Sequence, residues 1–143
     1  MASREFDSPE AVEAAFYEAF SRVDLDLMTV VWCDGEHALC IHPGSGLLRG
    51  KAAVIQSWME IFSGNVPPAI EYRVIESIVA GNLAVRLVEE RIRPRNRPPE
   101  SANRVLATNV YLREAGSWRL TEHHASLPLV ARDRGAGSSQ LLH

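Results

Sequence analysis

The residues in this chain with the most chemical potential are His123-His124, Arg86, Glu90, Asn109 and Tyr111, all within segments that read as strands. Adjacent strand residues point to opposite faces, so the two histidines cannot form a metal site by themselves. A zinc site would need His42 or Glu122 to converge on them, and nothing in the spacing requires that; no metal is expected. One histidine in a pocket wall and the other hydrogen-bonded at a subunit face accounts for the pair, with general-base catalysis as the sharper alternative. Arg86 and Glu90 lie four apart on one face of an apolar strand, and buried charges require partners. A mutual or cross-strand ion pair meets that need; as a site, the two would hold an anion and move a proton. Asn109 and Tyr111 would orient a ligand or stabilise developing negative charge. Trp32, Trp58, Phe62, Tyr17 and Tyr111 supply an aromatic lining, or ordinary core. His42-Pro-Gly-Ser-Gly46 lacks the phosphate-loop pattern and reads as a turn near a pocket mouth. Neither Cys33 nor Cys40 has a recognisable histidine partner, so thiol catalysis has little support.

The elements that must position these residues follow from periodicity. Ser8-Pro9-Glu10 opens a helix whose apolar positions include Val12, Phe16 and Phe20. Asp24 caps a short second helix, Ala38 to Ile41 reads as a strand, and a third helix is predicted from about Lys51 to Phe62. Strands follow over Ile70 to Val79 and Leu83 to Arg93, joined at Gly81-Asn82. A last pair flanks the Glu114-Ala-Gly-Ser117 turn. The proline- and arginine-rich stretch 93–100 is the longest internal loop, and the Gly/Ser-rich end suggests a mobile tail over residues 131–143. Alternation puts Ala84, Arg86, Val88 and Glu90 on one face, with Val105, Ala107, Asn109 and Tyr111, and with Arg119, Thr121, His123 and Ala125. A single β-bulge would invert part of that set.

Helix, helix, strand, helix and four strands predict an α+β domain over residues 1–130, with three helices packed on a curved, mostly antiparallel sheet. The other face of the sheet is also apolar, so a second subunit is the expected cover, giving a homodimer through the sheet. The formal net charge is only -3, which offers no electrostatic footprint for nucleic acid or an anionic membrane. No apolar run approaches the roughly 20 residues of a membrane span. The start lacks the pattern of a secretory signal, and two cysteines suit reduced thiols, so a cytoplasmic location is expected.

Cys40-Ile-His-Pro-Gly44, Leu48-Arg-Gly50, Ala107-Thr-Asn-Val-Tyr111 and Gly116 through Ser126 resemble the SnoaL-like branch of the nuclear transport factor 2-like superfamily. Within it the chain looks most like the association domain of calcium/calmodulin-dependent protein kinase II and its stand-alone bacterial relatives. The resemblance implies a cone-shaped, cystatin-like fold, usually dimeric through the sheet, with a pocket inside the cone. The kinase domain lines that pocket with arginines; Asn109 and Ala125 stand at two of those positions, and either Arg86 or Glu90 at a third. No residue matches the acidic base of the ketosteroid isomerase-like members. The pocket candidates are therefore Trp58, Phe62, Arg86, Glu90, Asn109, Tyr111, His123 and His124, around a small apolar or carboxylate ligand and without a cofactor. Two readings stay open: a binding or assembly module without catalysis, or a cofactor-independent isomerase, dehydratase or hydrolase using Glu90 or His123 as base. Fold does not decide between them.

Overall fold

Ser8 starts the first helix through its hydroxyl, which accepts from the Ala11 N–H at 3.0 Å. Helix α1 (Pro9–Arg22) follows, then α2 (Leu25–Val31), whose cap Asp24 accepts from Leu27 N–H. A 3₁₀ turn leads to β1 (Leu39–Ile41), β2 (Leu47–Arg49) and helix α3 (Lys51–Phe62). Four long strands complete the chain: β3 (Pro68–Ala80), β4 (Leu83–Pro94), β5 (Asn103–Glu114) and β6 (Ser117–Ser126). The structure is a computed structural model describing residues 4–64 and 66–128, so the expected tail over 131–143 lies outside the described residues. No described helix is long and apolar enough to cross a membrane.

The six strands form one sheet in the order β2-β1-β6-β5-β4-β3, antiparallel throughout except where β1 runs parallel to β6. Three helices and a mostly antiparallel curved sheet match the predicted layers. Strand β2 is the one strand among the described residues that the sequence pattern does not predict. It has three residues, and only Leu48 of them is even half-buried, so it has no alternation to detect.

All three helices contribute to the core on the sheet's concave side. Val12, Phe16 and Phe20 of α1, Met28 and Val31 of α2, and Val54 and Trp58 of α3 join Ala84, Val88, Tyr111 and Leu120 in one cluster. The convex side is left with Val85, Leu87, Leu106, Val110 and Leu112, all half-buried, and the exposed Ile78.

Two β-bulges shape the sheet. One falls in β3 between Val74 and Glu76. The other leaves Thr121 without a partner, because Val110 faces Glu122 while Tyr111 faces Leu120. This corrects the expected inner face of β6. His123 and Ala125 point inward, but before the bulge Trp118 and Leu120 take that side, in place of Arg119 and Thr121. An extra residue shifts the two-residue period by one and flips every side chain on one flank.

The β5–β6 turn places Ala115 at φ 52° and Gly116 at φ 80°. Glycine meets that left-handed requirement freely, whereas the alanine Cβ is crowded against the backbone. Ala115 is exposed. Ala115→Gly is therefore expected to raise the unfolding free energy by about 0.5–1 kcal/mol. Urea denaturation checks this, and a loss of stability would overturn the strain argument.

Candidate functional site

Helix α1 carries two polar residues one turn apart, Glu13 and Tyr17, into an otherwise apolar interior. Each begins a hydrogen-bonded chain that runs into the sheet. In the first, Arg86 Nε donates to Glu13 Oε1 at 2.8 Å and the Tyr111 hydroxyl donates to Oε2 at 3.0 Å. The same guanidinium reaches Ser77 Oγ at 3.0 Å and Glu10 at 3.3 Å through Nη1. In the second, the Tyr17 hydroxyl donates to Glu90 Oε2 at 2.5 Å and accepts from Asn109 Nδ2 at 3.0 Å. Asn109 Oδ1 in turn contacts His123 Nδ1 at 2.6 Å. Because that oxygen has no hydrogen, Nδ1 is the protonated ring nitrogen and Nε2 is the bare one.

The two carboxylates therefore sit in unlike surroundings. Glu13 is paired with a guanidinium. Glu90 is as deeply buried, but its one described partner is a phenol. Desolvation pushes the Glu90 carboxyl up to about 7; the Tyr17 hydrogen bond opposes this and the nearby Glu13 charge adds to it. Burial drives His123 the other way, to about 3, with smaller contributions from His42 and His124. Burial, reinforced by the neighbouring carboxylates, holds the Tyr17 and Tyr111 hydroxyls well above their ordinary value, so both remain donors. At neutral pH the cluster thus holds a carboxyl raised toward neutrality, a neutral imidazole and two phenols. Of the two candidate bases only Glu90 titrates near neutrality.

The structure brings Arg86, Glu90, Asn109, Tyr111 and His123 together on the concave face, with Trp58 and Phe62 facing them from α3. His124 lies elsewhere: it is exposed on the convex face beside Thr108. The expected Arg86–Glu90 or cross-strand ion pair is replaced by one from strand to helix, because α1 delivers Glu13 into the cone. Glu13 was not visible as a site residue in the sequence, since the α1 pattern was read from its apolar members. Its only signal is a place beside Val12 and Phe16 on the inward side. The Trp58 ring lies between α3 and the sheet, packing on Phe16, Phe20, His42 and Phe62 at centroid distances of 4.8–5.8 Å. Its indole Nε1 is buried without a hydrogen-bond partner. Tyr72, 38% exposed, stacks on Tyr17 at 4.1 Å and stands between the second chain and solvent.

Comparison with known proteins places this geometry. The SnoaL-like domain family matches residues 10–130. A solved structure from Thiobacillus denitrificans, assigned as a calcium/calmodulin-dependent protein kinase type II association domain, is 37% identical. It covers 88% of this chain and 99% of its own, with a TM-score of 0.82. A Streptomyces avermitilis protein assigned as a dehydratase of the NTF2-like family is 28% identical, over 83% of this chain and 93% of its own, with a TM-score of 0.74. The F-box protein SKIP8 of Arabidopsis thaliana is 23% identical over 84% of this chain, which spans about half (49%) of that longer protein.

The opposed shifts have a consequence for stability. Glu90 is raised from 4.5 to about 7, so it favours the fold at low pH and that contribution is lost as pH rises through this window. His123 is lowered from 6.5 to about 3, so its contribution is present above 6.5 and lost on acidification toward 3. Where the windows overlap the two slopes cancel. Urea denaturation across pH should show Glu90→Gln stability rising with pH over the histidine window. His123→Gln stability should fall with pH over the carboxyl window. Identical pH profiles for wild type and Glu90→Gln would contradict the assignment.

Proposed function

This chain belongs to the SnoaL-like domain family of the NTF2-like superfamily, and on that premise we propose that it is a small-molecule-binding module whose ligand sits inside the cone. The observation that carries the reading is the polar investment in the core. Glu13, Tyr17, Arg86, Glu90, Asn109 and His123 are buried where apolar side chains would pack at least as stably. Small-molecule sites combine aromatic and aliphatic walls with a few placed polar groups, and Trp58, Phe62 and Tyr72 supply such walls here. Arg86 is already engaged by Glu13 and Glu10, which favours a neutral polar head group over a carboxylate.

A second reading is a cofactor-independent isomerase, dehydratase or hydrolase. The Glu90 carboxyl near neutrality favours it: such a group takes a proton from carbon next to a carbonyl, while Asn109, whose Nδ2 has a second hydrogen beyond the one given to Tyr17, donates to the developing oxyanion. The 28% identical relative assigned as a dehydratase is compatible with this chemistry. His123, lowered by burial and tied to Asn109, is a poor base by comparison.

A thermal-shift panel of cyclic ketones, enones and small aryl carboxylates separates these readings, because binding to the native state raises apparent stability. Neutral carbonyl compounds are expected to stabilise more than carboxylates. If Glu90→Gln retains binding but stops turnover of a hit, the enzyme reading stands. If it weakens binding and no compound is turned over by wild type, the module reading stands. A panel with no stabilising compound would remove both.

The same reading includes a homodimer. The helices cover only the concave face, and the apolar convex face around Leu106 and Val110 calls for a second cover. Light scattering is expected to return about twice the 15.8 kDa chain mass, and Val110→Arg to return a single chain. A wild-type monomer at micromolar concentration would refute the dimer.

A further inference from the structure

A second recess opens on the far side of Trp58, where the β1–β2 turn passes over α3. It is a groove of about 500 Å³, within the range of small-molecule sites. Three aliphatic side chains line it, Leu47, Leu48 and Ile61, of which Leu47 is 51% and Ile61 43% exposed. Its polar side chains are His42, Ser45, Ser57 and Glu60, and neither lysine nor arginine is among its lining residues.

The hydrogen bonds fix what those polar groups offer. Ser57 has one hydroxyl hydrogen and donates it to the Val54 carbonyl at 2.6 Å. The 2.9 Å contact between His42 Nε2 and Ser57 Oγ therefore has the imidazole N–H donating. This leaves Ser57 Oγ with a spare lone pair and no hydrogen to give. Glu60 accepts from Gln56 Nε2 at 3.3 Å through one carboxylate oxygen, and the other remains an acceptor. Burial lowers the His42 pKa, so the ring adds no positive charge at neutral pH. Besides the Ser45 hydroxyl, which can donate or accept, the groove therefore presents apolar walls, hydrogen-bond acceptors and the negative charge of Glu60.

We propose that this groove is a ligand site separate from the cone interior, taking a small apolar molecule that carries a hydrogen-bond donor, with an ammonium group preferred and a carboxylate rejected. None of its lining residues belongs to the Glu13–Arg86 or Tyr17–Glu90 chains, so it stands or falls apart from the cone-interior reading. The two places share one wall: His42 packs edge-on to Trp58 at 4.9 Å, and Trp58 faces His123 at 6.1 Å on its other side. Occupancy of the groove should therefore also be felt by the indole.

Three probes with the same ring test this: benzylamine, benzyl alcohol and benzoate, titrated at pH 7.5 into the isotope-labelled full chain and followed by amide NMR. Benzylamine and benzyl alcohol should shift the amides of 45–48 and of Ser57, Glu60 and Ile61 saturably, with dissociation constants in the millimolar range expected of fragments. Benzoate should not. Glu60→Gln, at an exposed position, should weaken benzylamine about three- to tenfold and leave benzyl alcohol unchanged. The proposal is overturned if benzoate binds as well as benzylamine, if no probe binds saturably, or if Glu60→Gln has no effect on the amine. It is also overturned if the shifts fall on Tyr17, Asn109 and His123, an outcome that would instead favour the cone-interior site.

Discussion

The interior is organised around the carboxylate of Glu13. It enters the cone from α1 and is held by Arg86 of β4 and Tyr111 of β5, so one side chain ties a helix to two central strands. A buried carboxylate is tolerated only with such partners. Removing one member of a buried pair costs about 3–5 kcal/mol, whereas replacing the whole set by apolar groups is often neutral or better. The pair is therefore a statement about position more than about stability. It sets the depth and rotation of α1, and Tyr17, one turn further along, inherits its place from that setting. The chain through Glu90, Asn109 and His123 follows from there.

One fold thus gives two glutamates different properties at close quarters. Glu13 meets a guanidinium and a phenol; Glu90 meets a phenol and a nearby like charge, and its carboxyl rises toward neutrality. A buried carboxyl raised in this way is a recurrent candidate for acid–base work. The same groups also serve a passive role, since their hydrogen bonds tie α1 to β4 and β5, and β5 to β6. Trp58 is different. Its indole nitrogen is left without one, in a ring that separates the interior cluster from the outer groove. An unsatisfied buried donor usually costs 1–3 kcal/mol, and the buried Trp32 indole shares that condition.

The sheet contributes curvature and handed placement. The bulge at Thr121 sends Trp118 and Leu120 inward before it and His123 inward after it, so a single strand supplies both core packing and a polar cluster member. The Thr121 hydroxyl donates to the His37 carbonyl at 2.7 Å, which anchors the extra residue to the loop before β1. On the convex face Glu89 gathers Arg73 and Arg104, whose hydrogen bonds hold its carboxyl below the usual range. That face is consequently apolar through Leu87, Leu106 and Val110 and charged toward one end.

Local periodicity in the sequence was enough for the three helices, the four long strands and the layer arrangement, because each long element buries one face and repeats accordingly. It was also enough to put Arg86, Glu90, Asn109 and Tyr111 on one side, since alternation along β4 and β5 is unbroken there. The ambiguity between His123 and His124 was real at that level, because a bulge is a change of register with no residue signature of its own. Glu13 was hidden for a related reason: in a helix a charged residue reads as solvent-facing until the partner that neutralises it is known, and Arg86 lies 73 residues away. The shifted Glu90 carboxyl, the tautomers of His42 and His123, and the split between interior and groove all depend on through-space neighbours. Burial and electrostatics act between elements that are distant in sequence, and only the assembled cone brings those elements together.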